Sequence, residues 1–140
     1  MLSKIDDVVL IQLPKIRDDR GNLSFVENNS QIPFEIKRTY WIYDVPSGES
    51  RGGHASLSND EFVIPLSGGF DVIIDDGIAK KTITLNRPYC GLFIPHGIWR
   101  EFVNFSTNSV ALELGSELYS MDDYVRSYHE FLEMKVNEKI

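Results

Sequence analysis

Short runs of alternating hydrophobic and polar residues recur along most of the chain and are separated by turn residues. This pattern predicts β-strands, because successive side chains of a strand point to opposite faces of a sheet. Several short strands at this spacing are typical of a β-sandwich or a β-barrel. The predicted strands span residues 8–13, 23–27, 36–43, 61–66, 70–74, 80–85, 91–94, 100–105 and 110–114.

Only the C-terminal stretch has the spacing of a helix. Ser120, with Asp123 three residues later, resembles a capping box, and acidic side chains suit the positive end of a helix. The spacing predicts a short helix that packs on the sheet or on a partner subunit. Its hydrophobic face carries Tyr124, Tyr128, Phe131 and Leu132. We therefore interpret residues 1–140 as one all-β domain with a short C-terminal helix.

The composition narrows the possible function classes. A formal net charge of −7 argues against a nonspecific nucleic-acid binder, which needs a basic surface. A small phosphorylated ligand is compatible with that charge, because a few arginines can create a local anion site. Cys90 is the only cysteine, which rules out an internal disulfide. The N-terminal residues have no long apolar run, so we expect a cytoplasmic protein with neither a signal peptide nor a membrane span.

The segment 48–68 has polar residues at a recognisable spacing. Gly48 is followed after five residues by His54, and Ser56 follows after one more. Glu61 comes after a further four residues, and Gly68 after a further six. This order resembles the first motif of the cupin superfamily, which has His, His and Glu in the three polar positions.

A second segment, residues 95–104, resembles the second cupin motif. Pro95, Gly97 and Asn104 match its framework, and Arg100 occupies the position of its histidine. Two motifs in the same order and spacing imply a cupin jelly-roll barrel.

The side chains at the four cupin ligand positions predict a site without a metal. Arg100 is permanently protonated and has no lone pair to offer. The hydroxyl of Ser56 is a poor ligand for a transition metal. His54 and Glu61 alone do not complete a metal site. We therefore expect no metal and no other cofactor, and an organic ligand in the mouth of the barrel.

A longer resemblance covers nearly the whole chain. The matching segments are residues 19–23 (DRGNL), 32–45 (IPFEIKRTYWIYDV), 51–55 (RGGHA), 70–77 (FDVIIDDG), 94–106 (IPHGIWREFVNFS) and 122–131 (DDYVRSYHEF). They resemble the sugar 3,4-ketoisomerases, which are metal-free, dimeric cupins. The resemblance implies transfer of the carbonyl from carbon 4 to carbon 3 of dTDP-4-keto-6-deoxyglucose, on the way to aminated deoxysugars of bacterial surface polysaccharides. It also implies a homodimer, for which the first strand, residues 8–13, is a candidate for pairing between subunits.

The resemblance also suggests roles in catalysis. The family segment usually reads Arg-Gly-x-His-Ala-His, and the first histidine, here His54, is the favoured base. Ser56 replaces the second histidine, and its hydroxyl can relay a proton but cannot hold one as a cation. Tyr40 and Arg100, which we expect on adjacent strands, are candidate donors to the enediolate oxygens.

Four further side chains are candidates for binding the substrate. Arg38 is expected to share the inner face of its strand with Tyr40, where a diphosphate would balance its charge. Arg51 lies beside two glycines, at which the backbone can approach a ligand closely. Arg20 either holds its own turn or reaches the ligand. Glu61 is expected to orient His54 or an arginine.

Two other functions remain as alternatives. Loss of the second histidine at Ser56 is also compatible with a sugar-nucleotide binding module that has no catalytic activity. An epimerase acting on a related keto sugar is the third possibility, although cupin epimerases usually pair a histidine with an aspartate in a longer barrel.

Overall fold

The computed structural model describes residues 3–138 and contains two five-stranded antiparallel sheets and a separate two-stranded hairpin. In chain order the strands are β1 (Val9–Gln12), β2 (Lys15–Asp18), β3 (Gly21–Ser24), β4 (Arg38–Tyr43), β5 (Arg51–Ser56), β6 (Glu61–Ser67), β7 (Phe70–Asp75), β8 (Lys80–Leu85), β9 (Cys90–Ile94), β10 (Trp99–Val103), β11 (Val110–Gly115) and β12 (Tyr124–Val125). The α-helix, α1, spans Tyr128–Glu138, and short 3-10 helices span Ile5–Asp7 and Met121–Asp123.

The order of the strands in the sheets is that of a jelly roll. The first sheet has the order β1-β9-β6-β11-β4, and the second has the order β12-β5-β10-β7-β8. Neighbouring strands in each sheet are mostly distant in sequence, so the chain crosses repeatedly between the two sheets. The predicted all-β fold with a short C-terminal helix is confirmed.

Most of the predicted strands are present, whereas β2, β5 and β12 were not predicted. The strand predicted at 23–27 lies instead at Gly21–Ser24 as β3. The strand β5 was not predicted because Gly52 and Gly53 lower the β-propensity of its sequence. The first strand, β1, pairs with β9 of its own chain and forms one edge of its sheet.

The predicted start of the helix is wrong. Ser120 makes no side-chain cap, and Asp123 accepts hydrogen bonds from the backbone and side chain of Ser58 at 2.8 and 2.6 Å. The contact between Asp123 and Ser58 precedes residues 124–125, which form a strand that pairs with β5. The helix is capped instead by Ser127, whose hydroxyl accepts a hydrogen bond from the backbone of Glu130. Ser127 and Glu130 have the capping-box spacing, so the sequence did contain the correct signal.

The hydrophobic residues form three clusters around the two sheets. The interior between the sheets holds Val63, Phe70, Val72, Ile74, Leu85, Leu92, Ile94, Ile98, Phe102 and Ala111. The outer face of the first sheet contributes Phe62, Ile64 and Leu114 to a second cluster. The helix covers the outer face of the second sheet through Phe131, which packs with Ala55 and Trp99. With 11 residues it is too short to cross a bilayer, and residues 3–138 contain no other helix that could do so.

Candidate active site

A cavity of about 470 Å³ opens between the two sheets, beyond the apolar interior. It is lined mainly by basic and aromatic side chains, which suits an anionic ligand with a flat ring. The lining residues are Arg38, Tyr40, Trp41, Ile42, Arg51, Gly52, Gly53, His54, Arg100, Glu113, Tyr119, Tyr124 and Arg126.

A β-bulge in β5 shapes one wall of the cavity. His54 pairs with Arg100 of β10, whereas Arg51, three residues earlier, pairs with Phe102, only two residues later. The strand β5 therefore has one extra residue, and bulges of this kind often re-aim side chains beside active sites. Gly52 has a φ of +74°, and a Cβ atom there would collide with the guanidinium of Arg100. This glycine makes room for an arginine of its own chain, and Gly52 and Gly53 both line the cavity.

His54 is a buried, neutral imidazole in this cavity. Its side chain is 7% exposed, and its ring stacks on Tyr124 with centroids 4.5 Å apart and planes 12° from parallel. Burial, reinforced by the positive charge of Arg100, lowers the pKa of His54 to about 3, although Glu61 opposes the shift. The ring therefore has a free nitrogen lone pair at neutral pH and can accept a proton.

Arg100 is the centre of a buried ion cluster. Its Nε donates to Glu61 Oε1 at 2.6 Å, and its Nη2 donates to Glu61 Oε2 and to Glu113 Oε1, each at 3.0 Å. Its Nη1 donates to the carbonyl oxygen of Gly52. Burial opposes ionisation of Glu61, but the charge and hydrogen bonds of Arg100 together outweigh it and hold the pKa of Glu61 below its usual range.

This cluster bears on two predictions. Arg100, predicted to contact the substrate, borders the cavity, but its side chain is 3% exposed and its guanidinium already contacts Glu61, Glu113 and the carbonyl of Gly52. The predicted position on a strand adjacent to that of Tyr40 is wrong, because β10 and β4 belong to different sheets. The expectation that Glu61 orients an arginine agrees with the structure: both of its oxygens contact Arg100.

Tyr40 points into the barrel from β4. Its hydroxyl donates to Glu61 Oε2 at 3.4 Å. Burial, followed by the negative charges of Glu61 and Glu113, raises the pKa of Tyr40 far above its usual value. The hydroxyl therefore keeps its proton at neutral pH and is able to donate a hydrogen bond to a ligand oxygen.

Arg38 faces the cavity as predicted, and Lys37 points away from it. The Nη1 of Arg38 donates to the hydroxyl of Tyr124 at 3.3 Å, and the guanidinium lies 4.8 Å from the ring centroid of Tyr40. Its Nε is buried without a hydrogen-bond partner in the part of the chain that the structure describes. A buried donor without a partner is costly, so this position favours an acceptor supplied by a ligand.

Two further arginines border the same cavity. Arg51 lines it as predicted, at the start of β5. Arg126, just after β12, also lines it and was missed, because the sequence placed this residue within a helix. Together with Arg38 they provide three guanidinium groups, and none of the three forms a salt bridge among residues 3–138.

Three predicted site residues, Glu61, Ser56 and Arg20, are not part of the cavity lining. Ser56 is buried beside Tyr124 of β12. Arg20 is 89% exposed in the β2–β3 turn and donates to Asp18 through Nε and Nη2, both at 2.9 Å. Within the described chain Arg20 therefore holds its own turn, one of the two roles expected for it.

Glu113 and Tyr119 were also missed as site residues. The sequence contained a signal for Glu113, because it interrupts the apolar run 110–114 and is therefore a buried charge that needs a partner. Tyr119 was not recognisable, since it lies in a loop with no distinctive pattern.

Comparisons with known proteins agree on one family. The sequence matches FdtA, described as WxcM-like, C-terminal, over residues 6–136. It is 40% identical over 122 residues to the TDP-4-oxo-6-deoxy-alpha-D-glucose-3,4-oxoisomerase of Aneurinibacillus thermoaerophilus, covering 87% of this chain and 88% of that protein.

Solved structures give the same result. A 3,4-ketoisomerase from Helicobacter canadensis is 41% identical, with a TM-score of 0.91 over 93% of this chain and 98% of that one. QdtA, a sugar 3,4-ketoisomerase from Thermoanaerobacterium thermosaccharolyticum in complex with TDP, is 33% identical, with a TM-score of 0.93 over 98% of this chain and 100% of that one. A variant of QdtA has been crystallised with TDP-4-keto-6-deoxyglucose.

Proposed function

This chain belongs to the FdtA family of WxcM-like C-terminal proteins, and from that membership we propose that it is a sugar-nucleotide 3,4-ketoisomerase. Its substrate in this proposal is dTDP-4-keto-6-deoxyglucose, whose carbonyl moves from carbon 4 to carbon 3. The observation that carries the proposal is a neutral, buried His54 that shares one cavity with Tyr40 and with three arginines. The reaction needs no redox cofactor, because it only relocates protons and a double bond.

The proposed chemistry begins at carbon 3. The neighbouring ketone acidifies the hydrogen on carbon 3, and His54 removes it as a general base. An enediol forms, stabilised by hydrogen bonds to its oxygens, of which the hydroxyl of Tyr40 supplies one. Return of the proton from His54 to carbon 4 completes the isomerisation. Ser56 has no part in these steps, since it does not line the cavity.

The arginines supply the binding site for the diphosphate in this proposal. Arg38 has a buried Nε without a hydrogen-bond partner among residues 3–138, and Arg51 and Arg126 border the same cavity. Guanidinium groups match phosphate oxygens in charge and geometry. The exposed faces of Tyr119 and Trp41 provide flat surfaces on which the thymine can stack.

Replacing Arg38 by alanine is expected to weaken dTDP binding by roughly 1.5–3 kcal/mol, the usual value of hydrogen bonds to charged groups. Arg51→Ala should lie at the lower end of that range, because Arg51 is more exposed. Isothermal titration calorimetry with dTDP measures both, and Arg87→Ala, an exposed arginine outside the cavity, is the control. Parental affinity in both Arg38→Ala and Arg51→Ala would place the diphosphate elsewhere.

Deuterium incorporation from solvent tests the proposed activity directly. Incubation with dTDP-4-keto-6-deoxyglucose in deuterated water should give a carbonyl at carbon 3 and label at carbon 4 wherever the proton held by His54 exchanges with solvent, read by NMR and mass spectrometry. Label at carbon 5 would identify an epimerase. Tight dTDP binding without turnover would identify a binding module that has no catalytic activity.

We also propose that residues 1–140 form a single domain and that the protein is a homodimer. In this proposal it acts in the cytoplasm and contributes to the synthesis of surface polysaccharides. Support for the dimer comes from hydrophobic side chains exposed on β1 and on the β2–β3 hairpin, including Val9, Leu10, Ile16 and Leu23. Exposed apolar patches of this kind are typical of association surfaces.

We expect light scattering to give twice the chain mass of 16.0 kDa. Ile16→Lys should shift the protein toward the monomer, because it places a charge in the proposed interface. Ile78→Lys is the matched control, since Ile78 is exposed on the distant β7–β8 turn. A parental mass near 16.0 kDa at micromolar concentration would contradict the dimer.

A further inference from the structure

The ion cluster beneath the cavity contains one more carboxylate than its arginine can balance. Glu61 and Glu113 are 3% and 1% exposed, and both contact the same guanidinium, that of Arg100. With both carboxylates ionised, a net negative charge would be buried, which costs several kcal/mol in a protein interior. Two carboxyl groups in this situation hold one proton between them.

The contacts indicate which carboxyl group carries the proton. Glu61 receives Nε and Nη2 of Arg100 on its two oxygens, the geometry of an ionised carboxylate. Glu113 receives a single hydrogen bond from Arg100, on Oε1, so its second oxygen is available to hold the proton. Burial raises the pKa of Glu113 to about 8; the charge of Arg100 opposes this shift and that of Glu61 adds to it.

Isomerisation of a hydroxy ketone moves two protons, not one. The first goes from carbon 3 to carbon 4, and His54 transfers it in the proposed function. The second must leave the oxygen on carbon 3 and arrive at the oxygen on carbon 4. Tyr40 borders the cavity and can reach a ligand oxygen, but its phenolate is strongly disfavoured, so it can give up a proton only if it receives another.

Glu113 is placed to supply that proton. Tyr40 and Glu113 are directly opposite each other on the adjacent strands β4 and β11, so their side chains lie on the same face of the sheet. Both border the cavity, and both contact Glu61. Ser56, the other hydroxyl that the sequence suggested as a relay, does not border it.

We propose that Glu113 is the proton store of this active site, exchanging a proton with the substrate oxygens through the hydroxyl of Tyr40. This inference rests on the proposed isomerase function and assigns to it a residue that neither cupin motif contains. In this proposal Glu113 does not touch the substrate and acts only through the hydroxyl of Tyr40.

The protons and electrons balance in both half-reactions. In the first, His54 takes the proton from carbon 3, and the C–H electron pair forms the double bond between carbons 3 and 4. The carbonyl electron pair moves to the oxygen on carbon 4, which takes the proton of Tyr40, while Tyr40 takes that of Glu113. In the second, carbon 4 takes the proton from His54, and the hydroxyl on carbon 3 returns its proton through Tyr40 to Glu113.

The net charge of the protein groups is the same before and after each half-reaction. Initially Arg100 is positive, Glu61 is negative, and His54 and Glu113 are neutral. After the first half-reaction His54 is positive and Glu113 negative, so the buried cavity gains no net charge. Arg38 of β4 borders the same cavity, and its positive charge favours the ionised intermediate form.

The kinetics of Glu113→Gln test whether Glu113 supplies the proton, because glutamine keeps the size and the hydrogen bonding of glutamate but cannot release a proton. We expect kcat to fall at least ten-fold while dTDP affinity stays within about two-fold of the parent. In the parent, kcat should also fall as the pH rises through about 8, because Glu113 then loses its proton, and this alkaline decrease should be absent in Glu113→Gln. Glu101→Gln, the same substitution on β10 outside the cavity lining, is the control.

An infrared measurement separates this inference from the proposed function. At pH 7 the parent should show the carbonyl band of a protonated carboxylic acid, lost in Glu113→Gln and on raising the pH. Absence of that band, or parental kcat with an unchanged pH profile in Glu113→Gln, would overturn the proton store. If the parent converts no keto sugar nucleotide, the proposed function and the relay fail together, and the band alone decides whether the cluster holds a proton. If Glu113→Gln does not fold, Glu113→Asp, which keeps the acid, and the pH titration of the parental band provide the test.

Discussion

His54→Asn is expected to lower the isomerisation rate by roughly 10²–10⁴, the usual contribution of a positioned acid–base group. His54 is the histidine in the cavity, and its buried ring is neutral and has a free nitrogen lone pair. Asparagine has a similar size and keeps some hydrogen bonding, but it has no nitrogen that titrates. The variant should therefore fold and bind dTDP like the parent, and calorimetry together with a turnover assay by NMR checks both expectations.

Ser56 provides the matched control for His54, because it lies two residues away on the same strand. Ser56→Ala should change the rate very little, since the serine does not line the cavity. Ser56→His restores the usual pair of histidines of the family, and turnover should hold or rise if Tyr124 leaves room for the ring. Parental turnover in His54→Asn together with loss of turnover in Ser56→Ala would refute the assignment of the base.

Arg100→Met is expected to lower the free energy of unfolding by about 3–5 kcal/mol, the usual cost of removing one partner of a buried ion pair. The change leaves Glu61 and Glu113 buried without their counter-charge. The pKa of Glu61 then rises above the unfolded value of 4.5, and the pKa of Glu113, already raised by burial, rises further. Both groups therefore stay protonated in the folded variant at pH values where they ionise in the unfolded chain. The loss of stability should therefore grow as the pH rises above about 4.5 and be smallest below it.

Urea unfolding of Arg100→Met at several pH values measures this loss. Arg87→Met removes an exposed arginine and should unfold at a urea concentration close to that of the parent. Adding Glu61→Gln to Arg100→Met should recover part of the stability, because it removes one of the two buried carboxyl groups that have lost their partner. A loss in Arg100→Met that does not depend on pH would show that packing, not charge, is the main contribution of this side chain.

The positions of most strands were predictable because they depend on local properties of the sequence. Alternation of apolar and polar residues has the period of a strand, and it also placed Arg38 and Tyr40 correctly on the inner face of β4. The two cupin motifs brought His54, Glu61 and Arg100 together, because residues at matching positions of a barrel are close in space. Where local signals conflicted, as at Gly52 in β5 and at Ser120 before the helix, the prediction was wrong.

The tertiary structure alone decided which of these side chains are free to meet a ligand. The sequence determined the all-β class, the barrel, the family and the candidate base His54. It did not show that the guanidinium of Arg100 is hydrogen-bonded to Glu61 and Glu113. Nor did it show that Arg20 lies outside the cavity of its chain, or that Tyr124 and Arg126 border that cavity. The physical reason is that alternation along a strand specifies the face of a side chain but not its neighbours, which depend on the order of strands distant in sequence. Charge balance in a buried site depends on those neighbours, and so does the protonation state of each group within it.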